Sequence, residues 1–188
     1  MYYNELKIDI DPFKNLPDHY FIPAPFDKES PIWNKYIDSN DINKETHEWF
    51  RENGLEVAHS MLFAHSGKTK TYAHVDGYQT AEKDSRVYSA INFSKGGVGV
   101  LSWYEIINPE NAHPGITPLS TTPYQIYDYN DVKLIKRYLY KDNQPVLVDV
   151  NTPHSAENLN NNMRYTISLR WEPILSFNDA LEKFKNYI

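Results

Sequence analysis

Two histidines and an aspartate are the residues of this chain whose types and spacing can do chemistry together. His74 and Asp76 stand in the run Thr71-Tyr72-Ala73-His74-Val75-Asp76-Gly77-Tyr78, and His154 stands far downstream in Pro153-His154-Ser155-Ala156-Glu157-Asn158. Apolar and polar residues alternate up to Gly77, as expected of a strand reaching its end. Residues two apart on a strand share a face, so His74 and Asp76 project together and can chelate one ion from one rigid element. A His-x-Asp tripeptide by itself is common by chance, and a lone histidine more often has a hydrogen-bonded structural role; it is the combination that points to a metal. Two imidazoles and a carboxylate cover one face of an octahedral ion and leave three positions for a chelating substrate and dioxygen, the arrangement of non-haem Fe(II) oxygenases. Zinc takes the same ligands in hydrolases, so the triad alone leaves both open. The chain has no cysteine, which excludes disulfides, thiolate zinc sites and iron–sulfur clusters.

A second group lies on the segment Arg164-Tyr165-Thr166-Ile167-Ser168-Leu169-Arg170-Trp171. Its period of two puts Arg164, Thr166, Ser168 and Arg170 on one face and Tyr165, Ile167, Leu169 and Trp171 on the other. Outside a barrel the polar face would simply be solvated; inside, it would be costly unless it met a charged, polar ligand. A keto-acid electron donor such as 2-oxoglutarate carries a distal carboxylate, which a guanidinium holds by bidentate hydrogen bonds that lysine cannot reproduce. If the chain turns near Asn160 as a hairpin, both arginines fall about 10 Å from the level of His154, and geometry does not separate them. Asn92 is a further candidate for bonding the keto-acid. Trp103 and Tyr104 are candidates for lining a pocket, with packing as the alternative. His59 and His65 sit on or near the strand before the motif, His113 lies in the Pro-rich stretch, and His19 and His47 have no ligand-like neighbour; all five stay outside the expected ligand set.

The elements that must position these residues read as mostly β. Segments 55–64, 69–75, 86–93, 99–107, 145–150 and 163–171 are short, rich in Val, Ile, Tyr and Leu, and separated by turn formers. His154 is expected near the closing end of a hairpin's first arm, with the second arm starting at Met163 or Arg164. Helices are expected at 41–53, where Ile42, Trp49 and Phe50 share a face ahead of Gly54, and at 177–188 behind a Ser176 cap. Residues 6–10 read as strand-like, 17–26 as extended and loop, and 127–140 fits strand or helix. The stretch 108–124, with four prolines, is a candidate lid or rim loop. Short strands flanked by helices fit a double-stranded β-helix, a cupin-like jelly-roll barrel over about 55–172, with the N-terminal segment and the C-terminal helix as buttresses of a single domain 1–188.

Composition narrows the function classes. At 188 residues with 40% hydrophobic and 23% charged residues the chain is globular in character and long enough for one sizeable core. A net charge of −6, with no basic run, argues against extended nucleic acid as a partner but leaves a single nucleobase, a peptide side chain or a small molecule as substrate. No stretch approaches the ~18 apolar residues of a membrane span, and the N-terminus lacks an apolar signal core, so the expected location is cytoplasmic.

On these residues the sequence resembles the 2-oxoglutarate- and Fe(II)-dependent oxygenase superfamily, whose motif is His-x-Asp, a long interval, His, and an Arg about ten residues on. Here that is His74, Asp76, His154 and Arg164, with Thr166 in the Arg-x-Ser/Thr arrangement. The resemblance spans about 55–171, and the phrasing around it looks like small oxygenase-like proteins of phage and marine bacterial sequences. It implies Fe(II) on His74, Asp76 and His154, 2-oxoglutarate anchored by Arg164 with Arg170 in reserve, and O2 as co-substrate. It further implies decarboxylation to succinate with hydroxylation of a substrate the sequence does not identify. A cupin-like metalloenzyme that does not use 2-oxoglutarate, and an inactive binding or virion-associated barrel, are the competing readings.

Overall fold

Runs rich in branched and aromatic residues, broken by Pro, Gly and Asn, cannot bury themselves as isolated strands and must pair into sheets. The computed structural model describes residues 1–23, 31–77, 88–116 and 123–188. In chain order it contains β1 (Tyr3–Glu5), β2 (Ile32–Tyr36), α1 (Lys44–Glu52), β3 (Glu56–His65), β4 (Ala73–Asp76), β5 (Ser89–Lys95), β6 (Gly99–Ile106) and β7 (His113–Ile116). Then follow β8 (Pro123–Tyr127), β9 (Val132–Tyr140), β10 (Val146–Asp149), β11 (His154–Asn158), β12 (Arg164–Glu172) and α2 (Phe177–Lys183).

The strands form two six-stranded antiparallel sheets, ordered β1-β10-β5-β12-β3-β2 and β7-β8-β4-β11-β6-β9. From β3 to β12 the chain passes back and forth between them, so that β10-β5-β12-β3 in one sheet are matched by β4-β11-β6-β9 in the other. This is the winding of a double-stranded β-helix, and the chain is a cupin-like jelly roll. The alternation of β12 decides what goes where: Ile167, Leu169 and Trp171 join a core with Trp49, Phe50, Phe177, Ala180 and Phe184, on the helix-covered side of the first sheet. Trp49 stacks on Phe184 at 5.3 Å and Phe50 lies 5.8 Å from Trp171, so α1 and α2 act together as a buttress. Each large apolar side chain buried there contributes roughly 1.5–3 kcal/mol. Both helices start where a side chain caps them: Asn43 Oδ1 accepts from Thr46 N at 3.0 Å and Ser176 Oγ from Asp179 N at 3.1 Å. Gly54 follows α1 with φ +67°, a conformation that costs glycine little. No helix among the described residues is long and apolar enough to cross a membrane.

Several expected elements are placed differently. The N-terminal strand is Tyr3–Glu5, not 6–10, because it pairs with β10 only down to Glu5↔Val146. Pro145 comes next on the partner; it accepts from Leu6 N at 2.9 Å but has no N–H to continue the ladder. Segment 132–140 is a strand, β9, an edge whose outward side chains include exposed Leu134, Ile135 and Leu139; exposure of apolar residues on an edge blurs the alternation that identifies strands. The expected lid at 108–124 is, in its described part, a helical turn at Pro109–Asn111 and the antiparallel pair β7–β8. Pro114 is tolerated because β7 is an edge strand; residues 117–122 lie outside the described ones, as do 24–26 of the expected 17–26 loop and 86–87 of an expected strand. Strand β2 escaped the sequence reading. The second helix ends at Lys183, followed by a 3₁₀ turn at Lys185–Tyr187.

His154 does not close a hairpin arm; it opens β11, in the opposite sheet from β10 and β12. Asp149 turns the chain between sheets: its Oδ1 accepts from Asn151 N and Thr152 N, and its Oδ2 from the Thr152 hydroxyl, at 2.9, 3.2 and 2.7 Å. The Asn-rich connection from β11 to β12 also changes sheet, held by Asn158 Nδ2, which donates to the carbonyls of His65, Ser66 and Asn162.

Candidate metal centre

The short strand β4 presents His74 and Asp76 to the barrel interior, and β11 lies antiparallel to it with His154 directly opposite His74. Direct cross-strand partners have Cβ atoms about 4.5–5.5 Å apart, and the two imidazole centroids are 4.5 Å apart. His74, Asp76 and His154 each offer one ligand atom, and the three atoms lie within 4.8 Å of one another. Two residues from one strand and one from its neighbour thus form a three-point cluster without any loop having to be ordered.

Backbone carbonyls orient both rings. His74 Nδ1 lies 2.9 Å from Tyr72 O and His154 Nδ1 lies 3.0 Å from Thr152 O, in each case two residues back. Since a carbonyl can only accept, each Nδ1 carries its proton toward the carbonyl and each Nε2 lone pair faces the cluster, which is how metal-binding imidazoles are usually fixed. Burial, reinforced by the neighbouring His74, pushes His154 down to about 4, against the opposing pull of Asp76; the ring is neutral and able to ligate at ordinary pH. For Asp76, burial works to raise the carboxyl, but Arg170 foremost, with the nearby histidines, outweighs it and holds the group below the usual carboxylate range. Arg170 Nη2 lies 2.6 Å from Asp76 Oδ2, leaving Oδ1 turned to His74 Nε2 at 3.6 Å. The arginine therefore holds one oxygen of the carboxylate while the other faces the histidines.

These residues line a cavity of about 440 Å³ together with Arg164, Thr166, Ser168 and Arg170, so the polar face of β12 points inward and not to solvent. That volume is in the range of small-molecule sites. Arg164 has no exposed surface. Its guanidinium carbon sits 4.5 Å from the Tyr140 ring centroid and it runs against Gly99, where a Cβ would lie 2.2 Å from Nε. Among the described residues nine buried side-chain polar atoms lack a hydrogen-bond partner, and seven of them belong to residues lining this cavity: His59 Nε2, His65 Nδ1, Asn92 Oδ1, Arg164 Nε and Nη2, Thr166 Oγ1 and Arg170 Nε. Buried polar groups are almost always paired in native folds, so their concentration in one cavity marks a place built for a polar ligand.

No protein-family model and no curated protein matches the chain. Matching solved structures include ycfD of E. coli, at 14% identity over 66% of this chain and 29% of that one, TM-score 0.40. They include an oxalate decarboxylase of Lactobacillus farciminis, at 7% over 82% and 34%, TM-score 0.43. A cupin superfamily protein of Desulfitobacterium hafniense matches at 9% over 82% and 94%, TM-score 0.38. The chain spans 29% and 34% of the length of the first two. Likeness this weak carries nothing toward the chemistry, and the jelly-roll assignment stands on the strand order above.

The structure brings together His74, Asp76, His154, Arg164, Thr166 and Asn92 around one cavity. Asn92 Nδ2 donates to the Tyr140 hydroxyl at 2.8 Å, leaving its carbonyl oxygen unpartnered. Trp103 and Tyr104 are not on the wall. Trp103 is wholly buried, stacked on Tyr2 and Tyr3, with its indole N–H donating to Asp149 O at 2.8 Å; the Tyr104 hydroxyl lies 2.8 Å from Ser155 Oγ. Sequence reasoning missed Gly99, Tyr140, His59 and His65. For Gly99 a signal existed, since a glycine inside a strand often marks close approach by another group; the histidines gave none, because their cross-strand partners are set by the register of β3 with β12.

Proposed function

We propose that the chain is a non-haem Fe(II) enzyme that uses 2-oxoglutarate and O2 to hydroxylate a substrate, with iron on His74, Asp76 and His154 and the keto-acid's far carboxylate on Arg164. The observation that carries this reading is the pairing of a three-ligand cluster with a wholly buried arginine, Arg164, whose Nε and Nη2 have no hydrogen-bond partner, in the same cavity. Buried guanidinium N–H groups without acceptors are unfavourable; Asp142 acts on Arg164 only through its charge, and a dianionic keto-acid chelating the metal by its other end would supply a carboxylate to those donors. Thr166 Oγ1 and Asn92 Oδ1, both unpartnered, lie on the same wall; the hydroxyl can donate to a carboxylate. Arg170 gives Nη2 to Asp76 and keeps Nε without a partner, whereas Arg164 has both Nε and Nη2 without one, which favours Arg164 as the two-pronged anchor.

Fe(II) with the keto-acid, when bound, supplies dioxygen activation coupled to decarboxylation to succinate. The chain's own part is to hold both imidazoles through the Tyr72 and Thr152 carbonyls, to keep His154 neutral, to fix Asp76 through Arg170, and to enclose the reacting groups. Anaerobic addition of Fe(II) and 2-oxoglutarate to the folded protein is expected to give a weak visible charge-transfer band that needs both components and is lost in Arg164→Ala. Metal-loaded protein that binds no 2-oxoglutarate would sink the keto-acid assignment. Metal-dependent turnover indifferent to 2-oxoglutarate and to Arg164→Ala would establish instead the cupin-like metalloenzyme without a keto-acid.

A further inference from the structure

With a keto-acid on Arg164, one end of the polar face of β12 is occupied and the Arg170 end remains. Register places Arg164 opposite His65 and Arg170 opposite His59 on β3, giving two Arg–His pairs six residues apart, roughly 20 Å along the strand. The pairs are aimed differently, Arg164 at Gly99 and Tyr140 and Arg170 at Asp76. In each pair both partners keep a buried atom with no hydrogen-bond partner: Nε of Arg170 and Nε2 of His59 at the second. Arg170 reaches Asp76 through Nη2 alone, so its Nε–H is a free donor. The His59 ring is held edge-on against Tyr36, with centroids 4.9 Å apart.

Charge points the same way. Among the described residues, the side chains lining the cavity include three cations, Lys70, Arg164 and Arg170, against the single carboxylate of Asp76, in a chain whose net charge is −6. A divalent metal and a dianionic keto-acid cancel each other, so the surplus of two positive charges among the described lining residues persists with both bound. A cleft of one sign in a protein of the other concentrates ligands of the complementary sign.

We infer that the Arg170–His59 end of the cavity is the substrate subsite, and that the substrate is a small organic acid whose carboxylate is received by Arg170 Nε–H and His59. The two carboxylate oxygens match two donors from adjacent strands, and a neutral imidazole can offer one N–H. Cationic substrates are disfavoured by the same charges. The inference rests on the keto-acid reading for which end of the cavity is left to the substrate.

The test uses full-length protein loaded with Zn(II), which supports no turnover, and saturated with 2-oxoglutarate, whose binding is measured first by calorimetry. Four probes of one shape follow: benzoate, benzamide, benzylamine and phenyl phosphate. Benzoate is expected to bind at least tenfold more tightly than benzamide, with no detectable benzylamine binding, and His59→Ala is expected to weaken benzoate about tenfold while leaving 2-oxoglutarate affinity unchanged. Equal affinities for benzoate and benzamide would overturn the inference, as would benzoate binding that competes with 2-oxoglutarate; tighter binding of phenyl phosphate would overturn the carboxylate assignment. If 2-oxoglutarate itself does not bind yet benzoate is selected and is sensitive to His59, the keto-acid reading fails and the acid-binding subsite stands. Should His59→Ala not fold, selection among the four probes by the unmutated protein decides the matter.

Discussion

Replacing Gly99 by alanine is the smallest change that tests whether Arg164 is an anchor held in a fixed position. A Cβ added at Gly99 would lie 2.2 Å from Arg164 Nε, 2.5 Å from Cζ and 2.8 Å from Cδ, where ordinary carbon contacts need about 3.5–4.0 Å. The guanidinium must therefore move by more than about 1 Å. Tyr140 packs against the guanidinium, so the shift is taken up toward the cavity that Arg164 lines, which keeps the cost in stability modest and displaces the anchor. Overpacking of this kind costs about 1–3 kcal/mol, a fall in Tm of roughly 2–12 °C for a protein of this size. The larger effect is expected on ligand binding: charge-assisted hydrogen bonds worth about 1.5–3 kcal/mol are misaligned, so 2-oxoglutarate should bind roughly 10- to 100-fold more weakly. Calorimetry of the Zn(II)-loaded variant with 2-oxoglutarate measures this, and metal affinity measured beforehand should match the unmutated protein, because Gly99 is not among the ligand residues. A Gly99→Ala protein that is folded, binds metal and takes up 2-oxoglutarate with unchanged affinity would refute the assignment of Arg164.

Three further outcomes are expected. His154→Ala should lower metal content at equal metal concentration by about 100-fold or more in affinity, since even supporting residues of metal sites are worth 10–100-fold; metal analysis after dialysis reads this directly. Arg170→Met removes the partner of the Asp76 carboxylate and should destabilise metal-free protein by about 3 kcal/mol, the low end for breaking a buried pair, because the two side chains retain 14% and 18% exposure; saturating Zn(II) should restore part of the loss, as measured by urea unfolding. His65, pushed down to about 4 chiefly by burial and next by Arg164, binds its proton less readily in the folded than in the unfolded chain. Its contribution to stability is therefore fully present above about pH 6.5 and lost as pH falls from there through about 4, by an amount of order 3 kcal/mol; urea midpoints of the metal-free protein against those of His65→Gln should show a shallower decline in the variant over that window.

Much of the site was legible in the sequence because its parts are local. His74 and Asp76 share a face through the two-residue strand period, and the same rule grouped Arg164, Thr166, Ser168 and Arg170. The helix cap at Ser176 and the glycine after α1 lie within a few residues of what they satisfy, whereas the Asn43 cap of α1 was not read from the sequence. Reading failed where a residue's partner is remote. His154 was expected at the end of a hairpin arm, whereas Asp149 turns the chain into the other sheet, and the period-two pattern does not say which sheet a strand enters.

By itself, then, the sequence determined the strand-rich character, the absence of thiolate chemistry and the identity of the ligand and anchor candidates, since these depend on residue type and near-neighbour spacing. Only the tertiary structure decided that the β12 polar face points into the barrel, that Arg170 reaches Asp76 through Nη2 while Arg164 keeps Nε and Nη2 without hydrogen-bond partners, and that His59 and His65 stand opposite those two arginines. The reason is that antiparallel register and sheet closure join these residues 80 to 111 positions apart, and each such contact depends on the packing of the whole barrel.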